Sequence, residues 1–473
     1  MALNPLRGIP SVNEILENPV LRRLVDRISR NTVVTTVRNV LDEVRNEVHS
    51  AAAEKTLPSV SELAERIARR VLETERPKIR PVINATGALL DARLGPAPLA
   101  EVALAEIVAV ARDYTSVEVD LAHGQPARRM ADVEELLREL TGAEAAMVVN
   151  TKPGATMLVL AALAAGRAVL VSRGQLAEGA DGCRLHEIVT ASGALLCEIG
   201  SANVTRLDDY ERAIGAQTAA LLVAAPDDFR VVGRTENVAL AELVELARRR
   251  GLSVIHDLGC GTLTDGQPFG LRDLPGVAES LKAGADLVML RGDGLLGGPP
   301  CGILVGRRTL IESVEKHPLA GALATDQRTL AALAATLRLH RDPQQARLDV
   351  PLLHLLTTSV ENLKNRASRL APQVAASGLL ASAEAVASIA HLGGANVPSQ
   401  ELPTWCVALV PKGMSVDRLS TLLRSGNPPI VGRQQEDRLL LDLRSVIPRQ
   451  DQDLVTAVLA LDHTPAEEPP GKP

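Results

Sequence analysis

Aromatic side chains are almost missing: one Trp, two Tyr and two Phe in 473 residues, or 1% of the chain. The core must therefore be built from Leu, Val, Ile and Ala, and binding of nucleic acid by stacking bases on aromatic platforms is disfavoured. The five cysteines, Cys183, Cys197, Cys260, Cys301 and Cys406, are scattered and include no C-x-x-C pair. Neither a disulfide framework nor a zinc site is expected, and no metal ligand set is assigned. No apolar run approaches the roughly 20 residues of a membrane span. The nearest, "MLVLAALAAGRAVLVS", is broken by Gly166 and Arg167. The start, "MALNPLRGIPSVNEIL", carries early charges and no apolar signal core, so a cytoplasmic protein without a membrane partner is expected. There is no basic excess either: the formal net charge is -6, so the whole chain is not a polyanion binder and no DNA partner is expected. A local arginine-rich face stays open.

What is present is ordinary globular material, 46% hydrophobic and 23% charged, long enough for two or three domains. Residues 1–75 read as a helical domain, with "SVNEILENPVLRRLVDRISR" and "VRNVLDEVRNEVHSAAAEK" carrying apolar residues at helical spacing. Arg22, Arg23, Arg27 and Arg30 cluster there, which a solvated helix face would equally explain. Residues 76–345 switch to alternation: "AAMVVN", "AVLVS", "TAALLVAA", "LSVIHDLG" and "DLVML" as buried strands, with amphipathic helices between. That pattern predicts an α/β fold, a mostly parallel sheet covered by helices on both faces. Residues 346–463 read as a smaller α+β domain, and the Pro- and Glu-rich residues 464–473 as a disordered tail.

Ligands of such sheets sit beyond the carboxyl ends of the strands. Three features fall there. Asp257 in "VIHDLGCGTL" ends a buried strand, where a carboxylate either meets a charged partner or lines a cleft. "NTKPGATM" is a strand-to-helix turn, and Asn150, Thr151, Lys152 and Gly154 would suit an anion at a helix start. "LRGDGLLGGPPCG", residues 290–302, is a glycine-dense turn with no nucleophile or lysine, and its only charges are Arg291 and Asp293. His256 and His186 read as packed or hydrogen-bonded rather than as ligands. A strand-end Asp, a phosphate-suited turn and a late glycine turn together suggest a pyridoxal-phosphate architecture. In that chemistry an Asp pairs with the pyridine nitrogen and a lysine carries the cofactor.

The chain resembles bacterial selenocysteine synthase, the L-seryl-tRNA(Sec) selenium transferase family, nearly end to end. "LRGIPSVNEIL", "INATGALLDARLGPAPL", "LTGAEAAMVVNTKPGAT", "EIGSANVTRLDDYERAIG", "DLGCGTL", "AGADLVMLRGDGLLGGPPCGILVGRR" and "TLAALAATLRLH" follow the family's motifs in order. The resemblance implies a fold-type-I pyridoxal-phosphate transferase with a seven-stranded type of sheet. It also implies conversion of seryl-tRNA to selenocysteinyl-tRNA, a tRNA-recognising N-terminal domain, homo-oligomers, and active sites at subunit interfaces.

The departures from the family pattern converge on one pocket. The family's G-D-K-L-L-G-G-P lysine falls on Gly294. The arginine of its L-G-R-A-P-L falls on Pro96, and the pair in P-L-x-R-A-L-R falls on Gly321 and Ala324. Its G-x-R-G-S-R becomes "GQPARR", with only Arg129 kept, and its H-T-N becomes "DAR" with Arg93 in place of Asn. Glycine cannot form an imine, and Gly, Ala and Pro cannot replace a bidentate guanidinium. The resemblance therefore implies Asn150, Thr151, Lys152, Gly154, Asp257 and Arg291 as cofactor-side residues and Arg93 and Arg129 as substrate-side residues. No catalytic residue of the family mechanism remains. A catalytically degenerate homologue is the first expectation, with covalent pyridoxal phosphate not expected and noncovalent binding open. An active enzyme using Lys152 and Arg291 is a second reading. A non-catalytic tRNA- or protein-binding subunit, joined to an active paralogue, is a third.

Overall fold

The computed structural model describes residues 9–50, 58–75, 77–176, 178–179, 182–225, 231, 233–263, 271, 274, 276–393 and 400–461. The tail assigned to 464–473 lies outside the described residues. The chain forms two compact units, residues 1–81 and 82–473.

The first unit is helical. Ser11 caps Val12–Leu16, Asn18 caps Pro19–Val25, and Ser59 caps Val60–Thr74, each by accepting a hydrogen bond from a backbone N–H of the first turn. Two of these caps are closed reciprocally by Glu14 and Glu62 three residues on. With the long helix Arg30–Ser50 they enclose an all-aliphatic core of Ile15, Leu21, Val37, Leu41, Leu63 and Ile67 and their neighbours.

The second unit is built on a seven-stranded sheet. In spatial order its strands are Ala145–Val149, Gly302–Gly306, Leu287–Arg291, Ser253–Asp257, Thr218–Ala224, Ala168–Ser172 and Leu195–Ile199. Gly302–Gly306 runs antiparallel to both neighbours, and the remaining pairs are parallel. Side chains alternate between two cores. Met147 and Val149 face one with Leu158, Val159 and Ile255, while Ala146 and Val148 face the other with Leu136, Val288 and Leu333. Both faces are dry, which is why these strands read as unbroken apolar runs.

A second, six-stranded sheet packs the C-terminal half: Ile83–Ala85, Ile430–Gln435, Arg438–Asp442, Glu401–Pro411, Leu380–Gly393 and Ala88–Leu90 in order. Both edge strands come from residues 83–90, a stretch that the sequence pattern places with the large domain. Each is three residues long, too short to show a period of two. Buried Arg366 ties this region together. It forms an ion pair with Asp451 at 2.6 Å and donates to the Leu443 and Val446 carbonyls.

Candidate cofactor pocket

The carboxyl ends of the parallel strands meet at one edge of the large sheet. Asp257 ends its strand fully buried, with Oδ1 accepting from the Gly259 N–H at 3.0 Å. Neighbouring backbone bonds fix it there: Ala225 N–H donates to the Asp257 carbonyl, and Leu258 N–H to the Met289 carbonyl, both at 2.8 Å. His256, one residue earlier, points to the opposite face and meets Ser280 Oγ at 3.0 Å. Burial pushes its imidazole down to about 4, so it is neutral at ordinary pH and serves packing. His186 is exposed on the helix Leu185–Ala191.

Just past the end of Ala145–Val149, a strand separated from that of Asp257 by two others, Thr151 caps the helix Lys152–Ala164 by accepting from the Gly154 N–H at 3.1 Å. Gly154 is needed there: a Cβ would stand 2.9 Å from Thr151 Oγ1 and 3.2 Å from Asn150 Oδ1. Lys152, the first residue of that helix, reaches Asp257. Its Nζ lies 2.7 Å from Asp257 Oδ2, which accepts no well-aligned hydrogen bond, so the contact is ionic. The segment of Gly321 and Ala324 packs on the same turn. Ala324 bridges Val149, and Asn150 N–H donates to the Leu323 carbonyl at 2.9 Å. A Cβ added at Gly321 would meet nothing within 4 Å.

The glycine turn is tied to the loop that follows Asp257. Arg291 N–H donates to the Gly259 carbonyl at 2.9 Å, and Leu295 N–H to the Cys260 carbonyl at 3.2 Å, clamping the turn onto the loop after Asp257. Gly294 faces this clamp. A Cβ there would sit 2.9 Å from Cys260 Cα and 3.1 Å from Cys260 O and from Arg291 Cγ. The absence of a side chain at 294 is thus built into the packing.

Every cation expected in the pocket has a carboxylate of its own chain. Arg291 donates bidentately to Asp293, both bonds 2.9 Å. Arg93 does the same to Asp91 at 2.9 and 2.6 Å, and that guanidinium holds the buried Asp91 carboxyl below its usual range against its desolvation. Arg129 grips Glu118 at 3.0 and 2.7 Å and reaches the Thr325 carbonyl at 3.3 Å. The structure therefore brings Asn150, Thr151, Lys152, Gly154 and Asp257 together, with Arg291 on the glycine turn clamped to the loop after Asp257 and Arg129 donating to the Thr325 carbonyl next to Ala324. Arg93 lies on a separate short turn, Ala92–Leu94, where Asp91 holds its guanidinium. The sequence reading missed the partners Asp91, Glu118 and Asp293. Two of them stand two residues from their arginine, which is a readable signal.

This strand order, with its one reversed member and its buried Asp at a strand end, is the architecture of the fold-type-I pyridoxal-phosphate transferases. The solved D-glucosaminate-6-phosphate ammonia-lyase shares the fold at a TM-score of 0.57 and 19% identity, over 81% of this chain and 96% of that one. Residues 82–447 match the family described as L-seryl-tRNA selenium transferase, and residues 6–45 match selenocysteine synthase N terminal. The L-seryl-tRNA(Sec) selenium transferase of Moorella thermoacetica is 41% identical over 96% of this chain and 97% of its own. That of Hyphomonas neptunium is 40% identical over 94% and 96%. The chain belongs to the L-seryl-tRNA(Sec) selenium transferase family, whose enzymes use pyridoxal phosphate. Among the described residues, no helix is long and apolar enough to cross a membrane, and no group of His, Cys, Asp and Glu could hold a metal.

Proposed function

We propose that this chain is a selenium transferase homologue that has lost the family's covalent cofactor chemistry and acts as a non-catalytic, tRNA-binding member of the family. One observation carries the reading. Gly294, the position that aligns by motif with the cofactor lysine, is packed so closely against Cys260 that even a Cβ would stand 2.9 Å from its Cα. A side chain at this position would force the Cys260 backbone to give way. The pairing of Arg93, Arg129 and Arg291 with internal carboxylates supports the same conclusion, because anion recognition needs guanidinium forks that are not already engaged. The second reading, a reaction run by Lys152, is disfavoured by the pair with Asp257. That pair is strongest with Lys152 protonated, and a protonated amine is no nucleophile.

The helical unit supports a retained tRNA role. Arg22, Arg23, Arg27 and Arg30 are exposed and have no carboxylate partner among the described residues, in contrast to the pocket cations. A groove of about 550 Å³ on this unit is lined by Asn31, Thr32, Thr35, Thr36 and Asn39, groups suited to ribose hydroxyls, and by Arg70, which is held by Glu43 at 3.2 Å. Assembly is supported by Val102, Val108, Tyr114 and Leu121, exposed apolar residues within twenty positions of one another in the second unit. The test is turnover. Charged seryl-tRNA(Sec), pyridoxal phosphate and an activated selenium donor are expected to yield no selenocysteinyl-tRNA with this chain, while an intact family member converts them under the same conditions. Product formation would contradict the reading.

A further inference from the structure

The buried Lys152–Asp257 pair has a consequence for the cofactor ring itself. In this fold class a strand-end Asp holds the protonated pyridine nitrogen, and it can do so only with a carboxylate oxygen free to accept. Here the carboxylate charge of Asp257 is already matched by a cation of the chain. Oδ1 takes the Gly259 N–H at 3.0 Å, and Oδ2 faces the Lys152 ammonium at 2.7 Å. Asp257 is shut away from solvent at 0% exposure, and the Lys152 side chain is three-quarters covered at 25%. The ring nitrogen is held as a cation, and the single charge of Asp257 cannot neutralise both a pyridinium and the Lys152 ammonium in a closed site. Displacing the lysine would take its charge from that partner in a site that covers three-quarters of the side chain.

We propose that Lys152 is a built-in plug that substitutes for the pyridinium and excludes the vitamin B6 ring even from noncovalent binding. This goes beyond the loss of the covalent link, although it rests on the reading of the pocket as degenerate. A homologue lacking only its lysine would keep the ring site open, as many pockets survive the loss of a covalent anchor. This chain supplies its own cation, on the first residue of the helix whose N-terminal turn borders the same site. The occupant is therefore internal, and the Asp is retained to hold Lys152.

The test separates ring binding from imine formation by using pyridoxine 5′-phosphate, which has an alcohol in place of the aldehyde and cannot attach to any amine. Titration calorimetry on the full chain is expected to show no saturable binding by the native protein or by Lys152→Arg, which keeps the charge. Lys152→Asn should gain affinity by roughly 10- to 100-fold, the worth of one charge-assisted hydrogen bond to the ring nitrogen. Binding by the native protein as tight as by Lys152→Asn would overturn the plug, as would a folded Lys152→Asn that gains nothing. A second measurement does not depend on that variant folding. Amine acylation read by peptide mass spectrometry is expected to spare Lys152 in the native chain and to label it several-fold faster in Asp257→Asn. Equal rates would overturn the proposal. If the native chain binds pyridoxine phosphate but yields no selenocysteinyl-tRNA, the plug fails while the non-catalytic reading stands.

Discussion

Gly294→Lys alone is expected to stay colourless when mixed with pyridoxal phosphate, and to lose roughly 1–3 kcal/mol of stability, the usual cost of overpacking a closed site. The reason is local. The new Cβ would stand 2.9 Å from Cys260 Cα, a backbone atom. Cys260 cannot retreat freely, because its carbonyl accepts from Leu295 N–H and the preceding Gly259 carbonyl accepts from Arg291 N–H. The new ammonium would also enter beside Arg291 while Asp257 is held by Lys152. Adding Lys152→Asn releases Asp257, and the double variant is the one expected to take up the cofactor and absorb visible light. Selenium transfer should still fail in it, because Pro96, Gly321 and Ala324 supply no anion-binding fork. Absorbance spectra and thermal melts of the single and double variants decide the matter. A coloured single variant of undiminished stability would show that the pocket was never closed.

Replacing Arg22, Arg23, Arg27 and Arg30 together by Glu is expected to abolish tRNA binding at moderate salt. Each phosphate contact contributes a slope of about -0.7 to -0.9 to log K against log salt, so four lost contacts make the dependence shallower by about three. If the two lines converge near ~1 M salt, the variant binds about a thousandfold more weakly at ~0.1 M. Charge reversal should add further repulsion. The fold should tolerate the change, because all four side chains are exposed and the core of this unit is aliphatic and distant from them in kind. Filter binding of a serine-accepting tRNA across a salt series measures both the affinity and the slope. An unchanged slope would place the RNA contact elsewhere or remove it altogether.

Much of this architecture is legible in the residues. The alternation of short apolar strands with amphipathic helices yields the large parallel sheet, because strands buried on both faces show no polar breaks. Asp257 and the Asn150–Gly154 turn fall at strand ends by the same reading, and the fold does bring them together. The partners of the charges are less legible. Lys152 and Asp257 are 105 positions apart, and nothing local marks them as a pair, so Lys152 reads as an outward phosphate group until the fold is known. Asp293 and Asp91 stand two residues from their arginines, yet composition cannot say whether a guanidinium turns to that neighbour or to a ligand. The edge strands at 83–90 escape notice because three residues carry no period, and their pairing with Ile430–Gln435 and Leu380–Gly393 spans hundreds of residues.

Borohydride trapping tests most directly whether any amine of this chain holds the cofactor covalently. The native protein is incubated with pyridoxal phosphate, reduced, digested and mapped by mass spectrometry. The expected result is no phosphopyridoxyl group on any pocket peptide, with only sparse modification of exposed lysines elsewhere. Stoichiometric modification of Lys152, one per chain, would contradict both the closed pocket and the protonated Lys152–Asp257 pair.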